Sequence, residues 1–474
     1  MLAPEQNRIP DNVRRVHLIA ACGTAMAALA CMLQELGYAV TGSDRNVYPP
    51  MSVLLADRGI AVASGFSGDN LAYGPDLVVV GNAVSRDNPE VIKTGEMNLP
   101  YCSMPQAINH FAAAGRKILM VCGTHGKTTT SSLLAGILHS AGFDPSFVIG
   151  GVVKDFGGNY RLGKGPHMVI EGDEYDTAFF DKGSKFLHYP AVATILTSVE
   201  FDHADIFADL DAVKKSFDRL LSGLPSESTV FAFDDDKNID ELVGNRSCRI
   251  VRYGRKEDSD WRLGRVTART GRTDFEIIRS GRLVGEYTSP LSGRHNLYNA
   301  LAAFACAEMV GVPHDAIGRA LAGFGGVKRR QEVRGIKNGI TVMDDFAHHP
   351  TAVTETLAGI RSFYPDARLI AVFEPRTNTS MRNVFQAEYA RAFDAADLVC
   401  VSRPPLPEKV PEGQRFSSDQ LAADLAARGK EAHVFKNADE IVDFLVPRAR
   451  PGDLILVMSN GGFDNIHEKL LSRL

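Results

Sequence analysis

Short runs of β-branched and aliphatic residues alternate, along nearly the whole chain, with longer stretches whose apolar positions recur every three to four residues. That alternation predicts an α/β fold, with parallel sheets covered by helices. Residues 14–20 read as a strand, the next few as a turn, and 24–36 as a helix stopped by Gly37. Residues 39–44 follow as a second strand ending at Asp44. Residues 76–85 supply a further strand, and loop-like composition near residue 114 closes a first segment, 1–114. The strand at 117–123 runs directly into a helix on which Leu133, Leu134, Ile137, Leu138 and Ala141 share one face, with Gly142 as its C-terminal stop. Residues 167–174 and 192–200 are two more apolar strands that deliver polar residues at their C-terminal ends, where open α/β sheets bind ligands. Between 261 and 290 the period falls to two, punctuated by Gly271 and Gly281, which predicts a small antiparallel insert before helix returns at 292–311. The alternation restarts after residues 323–335, so 115–326 and 327–474 are expected as a second and a third domain. A length of 474 residues agrees with three domains of about 150 each.

Composition narrows the function classes. Lys and Arg total 52 against 57 Asp and Glu, a net charge of −5, which offers no positive excess for nucleic acid or a membrane surface. Hydrophobic residues at 45% are enough for real cores. The seven cysteines, Cys22, Cys31, Cys102, Cys122, Cys248, Cys306 and Cys400, are scattered and never form a C-x-x-C pair. They are expected to be reduced, mostly buried thiols, with no disulfide framework or zinc site. The N-terminus has no apolar signal-like core and no stretch approaches a membrane span, so a soluble cytoplasmic protein is expected. Residues 403–413 read as an exposed Pro-rich loop.

The strongest chemical signal is Gly123-Thr124-His125-Gly126-Lys127-Thr128 between a strand and a helix. Backbone N–H groups in such a turn, together with a helix N-terminus, cradle phosphates. Lys127 would neutralise β/γ-phosphate charge and the Thr128 hydroxyl would hold Mg²⁺. The loop departs from a standard Walker A, whose first Gly would fall at Val121. Asp173 and Glu174 end one following strand, and Glu200, Asp202 and His203 follow the next. Adjacent parallel strands would bring these tips beside the loop as a Mg²⁺ environment. At the N-terminus, Cys22-Gly23-Thr24 lacks G-x-G-x-x-G, with Ala20, Ala27 and Ala28 where glycines would stand, which disfavours a nicotinamide or flavin site. The loop either binds a diphosphate at the helix N-terminus or merely turns the chain. His348 and His349, with Asp344 and Asp345, read as a metal-free polar cluster.

The order GTHGKTTT, EGDEYD, EFDHADIF, GRHNLYNALAA, GVKRRQEVRG and DDFAHHPTAV resembles the Mur ligase family of ATP-dependent amide-forming enzymes over nearly the whole chain. The resemblance implies a Rossmann-like N-terminal domain binding a UDP-sugar and a central P-loop ATPase-like domain. It also implies a Rossmann-like C-terminal domain that contributes to ATP and amine binding. Segments 22–27, 43–52, 175–189, 373–379 and 459–463 resemble the branch that joins UDP-N-acetylmuramate to the tripeptide L-Ala-γ-D-Glu-meso-diaminopimelate in cell-wall recycling. The branch that adds L-alanine, which has a shorter segment in place of 175–189, is the alternative.

Carried over by position, the resemblance implies that Gly123, Thr124, His125, Gly126, Lys127, Thr128, Thr129, Asn296, Arg330 and Asp345 bind ATP, and that Thr128, Glu174 and His203 bind Mg²⁺. It places Lys127, His203, Arg330 and His348 at the catalytic centre and gives Cys22, Gly23, Thr24, Asp44, Asn82 and Ser85 to the UDP-sugar. Arg376 is the candidate for a tripeptide carboxylate, because a guanidinium pairs with a carboxylate in bidentate fashion. Two departures stand out: Ser198 sits where many relatives have Asn, and Ala20 and Ala27 replace glycines usual in the first loop. The carbamylated lysine of some sister enzymes has no counterpart. Substrates and cofactor would be small molecules and Mg²⁺, with no nucleic acid or membrane partner.

Overall fold

Strands whose residues are apolar on both faces have to be covered on both sides, and all five N-terminal strands lie side by side in parallel with the expected helices between them. The sheet order is Ala61–Ser64, Ala39–Asp44, Arg15–Ile19, Leu77–Val80, Tyr101–Ser103, all neighbours parallel. Helix Thr24–Glu35 buries Met26 through Leu33, and Gly37, at φ +94°, ends it as expected. The chain winds outward from Arg15–Ile19 in one direction and then restarts on its other side with Leu77–Val80, so the crevice between these two strands is the switch point. The strand expected over 76–85 is shorter, Leu77–Val80. Gly81 turns the chain where a Cβ would meet Ile19 O at 2.9 Å, which releases Asn82 and Ser85 into a loop at the crevice.

The computed structural model describes every residue except 1, 48–50 and 245, so residues 48–50 of the 43–52 segment lie outside the described residues. It divides into two compact units, Met1–Val199 with Asp211–Tyr253 and Ala302–Ala320, and Glu200–Leu210 with Gly254–Leu301 and Leu321–Leu474.

The first unit holds the N-terminal sheet and the strands Arg249–Gly254, Thr229–Phe233, Ala191–Leu196, Lys117–Cys122, His167–Glu171, Ser146–Val153 and Gly158–Arg161, paired in that order in a second sheet. All these neighbours are parallel except the last pair. The loop strand Lys117–Cys122 is central, flanked by the two strands expected to carry the acidic tips. A short antiparallel ribbon, Asp176–Ala178 and Asp181–Ser184, lies within the segment 175–189 and is not visible in the hydrophobic pattern.

The second unit contains the expected antiparallel insert, Trp261–Arg269, Arg272–Arg279 and Arg282–Ser289, with Gly271 and Gly281 in the left-handed region at its turns. It also contains a six-stranded sheet in the order Glu332–Lys337, Ile340–Asp345, Leu454–Met458, Leu369–Phe373, Leu398–Ser402, Glu431–Phe435. Apolar clusters cover both faces of that sheet. Residues 332–337, expected to precede the restart of the alternation, form an antiparallel edge strand. Its exposed Val333 and Ile336 give it no apolar stripe to read. All seven cysteines are free and, Cys22 apart, buried, as expected. Among the described residues no helix is long and apolar enough to cross a membrane.

Candidate active site

The candidate phosphate loop is shaped by one glycine. Gly123 sits at φ +134°, and a Cβ there would lie 2.2 Å from Thr197 Oγ1 and 2.9 Å from the Ser198 backbone, so no side chain fits. The neighbouring strand's end holds the loop. Thr124 N donates to Ser198 O and His125 N to Ser198 Oγ, each at 2.9 Å, while Thr197 Oγ1 donates to His125 O at 2.5 Å. Ser198, the departure noted above, thus ties the loop with both its backbone and its hydroxyl. Gly126, at φ +79°, leads into helix Lys127–Ser140, whose N-terminus points its N–H groups into the loop.

Lys127 Nζ donates to Gly123 O at 2.6 Å and to both Glu174 oxygens at 2.8 and 2.7 Å. Burial opposes its charge, but Glu174 and Asp173 outweigh burial and raise its pKa. Thr128 Oγ1 donates to Glu171 Oε1 at 2.9 Å, and Glu171 Oε2 accepts Gly150 N at 2.7 Å. Asp173 pairs with Lys185 at 2.6 Å. Burial works against its ionisation, yet Lys185, Lys127 and the Tyr175 N–H hold its carboxyl below the usual range. Three carboxylates, Glu171, Asp173 and Glu174, therefore meet two ammonium groups beside the Thr128 hydroxyl. A hard, oxygen-only donor set with surplus negative charge fits Mg²⁺. Of these, Glu171 was absent from the sequence-based site, although it is the terminal residue of the strand that carries the acids.

In the second unit the residues expected as a four-membered polar cluster divide instead, because neighbours along an extended chain project to opposite sides. Asp344 faces Arg329 and Arg334, at 3.4 and 3.8 Å, and His467 at 3.5 Å. Asp345 accepts the Gln331 and Ala347 N–H groups at 2.8 Å, and burial, only partly offset by Arg330, raises its pKa. His348 donates from Nδ1 to Phe346 O at 3.0 Å and turns Nε2 toward Asp202, 3.7 Å away. Burial disfavours the Asp202 charge, but His348, His203 and His349 overcome it and hold the carboxyl far below its usual range. His203 itself adopts φ +57°, and its N–H donates to Asp202 Oδ1 at 2.7 Å. His349 caps helix Pro350–Phe363 by accepting Thr351 N. Arg330 stacks on Phe346, 4.8 Å from the ring centre, and Asn296 is buried between Ser292 O and Asn299.

At the tips of Leu369–Phe373 and Leu454–Met458, two motif segments converge. The buried Glu374 accepts Ser459 Oγ at 2.5 Å and Arg376 at 3.2 Å. Arg376 lies flat on Gly461, where a Cβ would come within 2.3 Å of its side chain. In the first unit, Cys22 N donates to Asp44 Oδ2 at 2.9 Å and Gly23 caps the helix beginning at Thr24. Asn82 donates to Asp176 and Ser85 to Asp87 at the switch-point crevice.

Three family descriptions match in succession: Mur ligase family, catalytic domain, over residues 15–116; Mur ligase middle domain, over 121–307; and Mur ligase, glutamate ligase domain, over 329–461. The chain is 43% identical over 461 residues to the UDP-N-acetylmuramate–L-alanyl-γ-D-glutamyl-meso-2,6-diaminoheptandioate ligase of Escherichia coli K12, covering 97% of this chain and 98% of that protein. The chain belongs to the Mur ligase family. A Haemophilus influenzae ligase with the same description is 39% identical over 98% of this chain and 99% of its own. Among solved structures, this Mur ligase resembles a murein peptide ligase from Psychrobacter arcticus, with a TM-score of 0.72, 35% identity and coverage of 97% and 98% of the two chains.

Proposed function

We propose that this Mur ligase joins UDP-N-acetylmuramate to L-Ala-γ-D-Glu-meso-diaminopimelate at the expense of ATP, in the cytoplasmic recycling of cell-wall peptide. The single observation that carries the reading is its 43% identity over the whole chain to a ligase described by those substrates. The structured segment 175–189, which distinguished this branch in the sequence, adds to it.

A carboxylate is a poor electrophile, so amide formation in water requires its activation. A muramyl carboxylate oxygen attacks the γ-phosphorus of ATP, ADP departs, and an acyl phosphate forms. The neutral amine of the tripeptide's L-Ala then adds to the acyl carbon. The tetrahedral intermediate expels phosphate, which carries away one former carboxylate oxygen, and the amine proton is lost to solvent or to His348. Lys127 and the loop N–H groups carry the charge of the phosphates, because preorganised donors act where charge develops. Thr128 and Glu174, with His203 added by the family resemblance, are the residues that would hold Mg²⁺, and the ion would screen the phosphate oxygens. Arg330, Asn296 and Asp345 take the ATP roles that the family resemblance assigns, and Arg376 takes a tripeptide carboxylate. The domain boundaries near residues 114 and 326 belong to this reading, supported by where the three family matches begin and end.

The test is phosphate release with UDP-N-acetylmuramate, ATP and one amine at a time. Turnover with the tripeptide, and little with L-alanine, is expected. The reverse order would assign the alanine-adding reaction instead.

A further inference from the structure

The Asp176–Ser184 ribbon touches both functional ends of the first unit. At one end, Asn82 of the switch-point loop donates its side-chain N–H to the Asp176 backbone carbonyl and, at 3.2 Å, to Asp176 Oδ1. The ribbon's tip carries Phe179 and Phe180 onto the N-terminal sheet, where Phe180 meets Tyr101 edge-on with ring centres 5.0 Å apart. At the other end, Asp173 pairs with Lys185, and the Phe186 N–H returns to Asp173 O. Glu174, two residues before Asp176, closes on Lys127. Two residues of extended chain span at most about 7 Å. Asn82 is thus tethered to a point only that far from the acid that holds the phosphate-loop lysine.

The geometry points to Asp176 as a positioning residue. It orients the Asn82 amide and sets the spacing between the sugar-nucleotide loop and the phosphate loop, so that a carboxylate on the bound sugar reaches the γ-phosphate. This rests on the proposed use of Asn82 for the UDP-sugar. Asp176 itself need not touch substrate. Its outer oxygen is occupied by Lys182 at 2.6 Å, so its inner oxygen is the one aimed at Asn82. Nothing in the hydrophobic pattern singles it out.

Asp176→Ala removes only the carboxylate contact that orients the Asn82 amide; it keeps the bond from Asn82 to the backbone carbonyl at 176 and the ribbon's other ties, Thr177 to Gly183 O and Ser184 to Ser216. The experiment is steady-state kinetics of the full-length enzyme with UDP-N-acetylmuramate, ATP and tripeptide, alongside thermal melting. Asp176→Ala should raise the KM for UDP-N-acetylmuramate about tenfold, the equivalent of about 1.4 kcal/mol. The KM for ATP should stay within about twofold. Asp176→Asn, which keeps an oxygen for Asn82, should recover most of the loss. Asp176→Ala placed on Asn82→Ala should add almost nothing, because the Asp176 carboxylate acts through the Asn82 amide and has nothing to orient once that amide is gone.

An unchanged sugar KM, parallel rises in both KM values, or an Asn variant as impaired as Ala would overturn the inference. If Asp176→Ala does not fold, Asp176→Ser, which keeps a short polar side chain but cannot reach Asn82, answers the same question. A wild-type enzyme inactive with UDP-N-acetylmuramate would overturn the proposed function instead, so the two failures are distinguishable.

Discussion

Ala20 adopts φ +66°, a left-handed conformation that costs a residue with a Cβ about 1 kcal/mol. It lies beside Gly81 at the switch-point crevice. Ala20→Gly should therefore raise stability by about 0.5 kcal/mol after the extra freedom of glycine in the unfolded chain is discounted. Chemical denaturation would record this as a higher midpoint at unchanged slope, and a lower midpoint would refute the argument. Lys127 is held by Gly123 and Glu174 in a pocket that leaves little of it exposed. Lys127→Ala should cut turnover by at least about 10²-fold. It should also lower the melting temperature, because Glu174 is left buried without its ammonium partner. Retained turnover would remove Lys127 from the chemistry. Arg376, lying on Gly461 beside Glu374, should when changed to Ala raise the tripeptide KM about tenfold or more with little effect on that of ATP. Equal effects on both would take it out of the peptide site.

At the scale of elements, a buried carboxylate locks the N-terminal sheet to its helix. Glu90, in helix Pro89–Glu96, accepts Ser43 Oγ at 2.5 Å from one strand and Asn70 at 2.6 Å from the short helix Gly68–Leu71. It also lies 3.3 Å from His17 on a second strand. Burial favours its protonated form, but bonds from His17, Ser43 and Asn70 prevail and depress its pKa. A depressed folded-state pKa contributes stability above the unfolded value, about 4.3, and that contribution is lost as pH falls through the lower folded value. Stability should therefore decline below about pH 4, and Glu90→Gln should flatten that part of the curve. An identical acid profile for the two proteins would contradict the assignment.

The elements also show what the sequence made legible. Buried strands such as Lys117–Cys122 and the covered helices were readable because their apolar periods match what they bury. The turn at 123–126 was readable because only glycine tolerates its backbone at positions 123 and 126. The edge strand Glu332–Lys337 and the ribbon Asp176–Ser184 were not, since both are partly exposed and take their form from long-range pairing. Glu171 and Asp176 escaped for the same reason: a lone carboxylate has no spacing rule, and its meaning comes from the partner that the fold brings to it.

For the molecule as a whole, a ligand that binds only the native state stabilises it by mass action. A non-hydrolysable ATP analogue with Mg²⁺ at about 100 times its Kd should add about 2.7 kcal/mol to the wild type and much less to Lys127→Ala. Equal shifts in melting temperature for the two proteins would place the nucleotide elsewhere. The central claim is that the triphosphate makes a carboxylate reactive by phosphorylating it. The most direct measurement is isotopic: UDP-N-acetylmuramate labelled with ¹⁸O in its lactyl carboxylate, turned over with ATP and the tripeptide, followed by mass analysis of the released phosphate. Transfer of one labelled oxygen to each phosphate is the predicted result. Phosphate free of label, with amide still formed, would contradict the account.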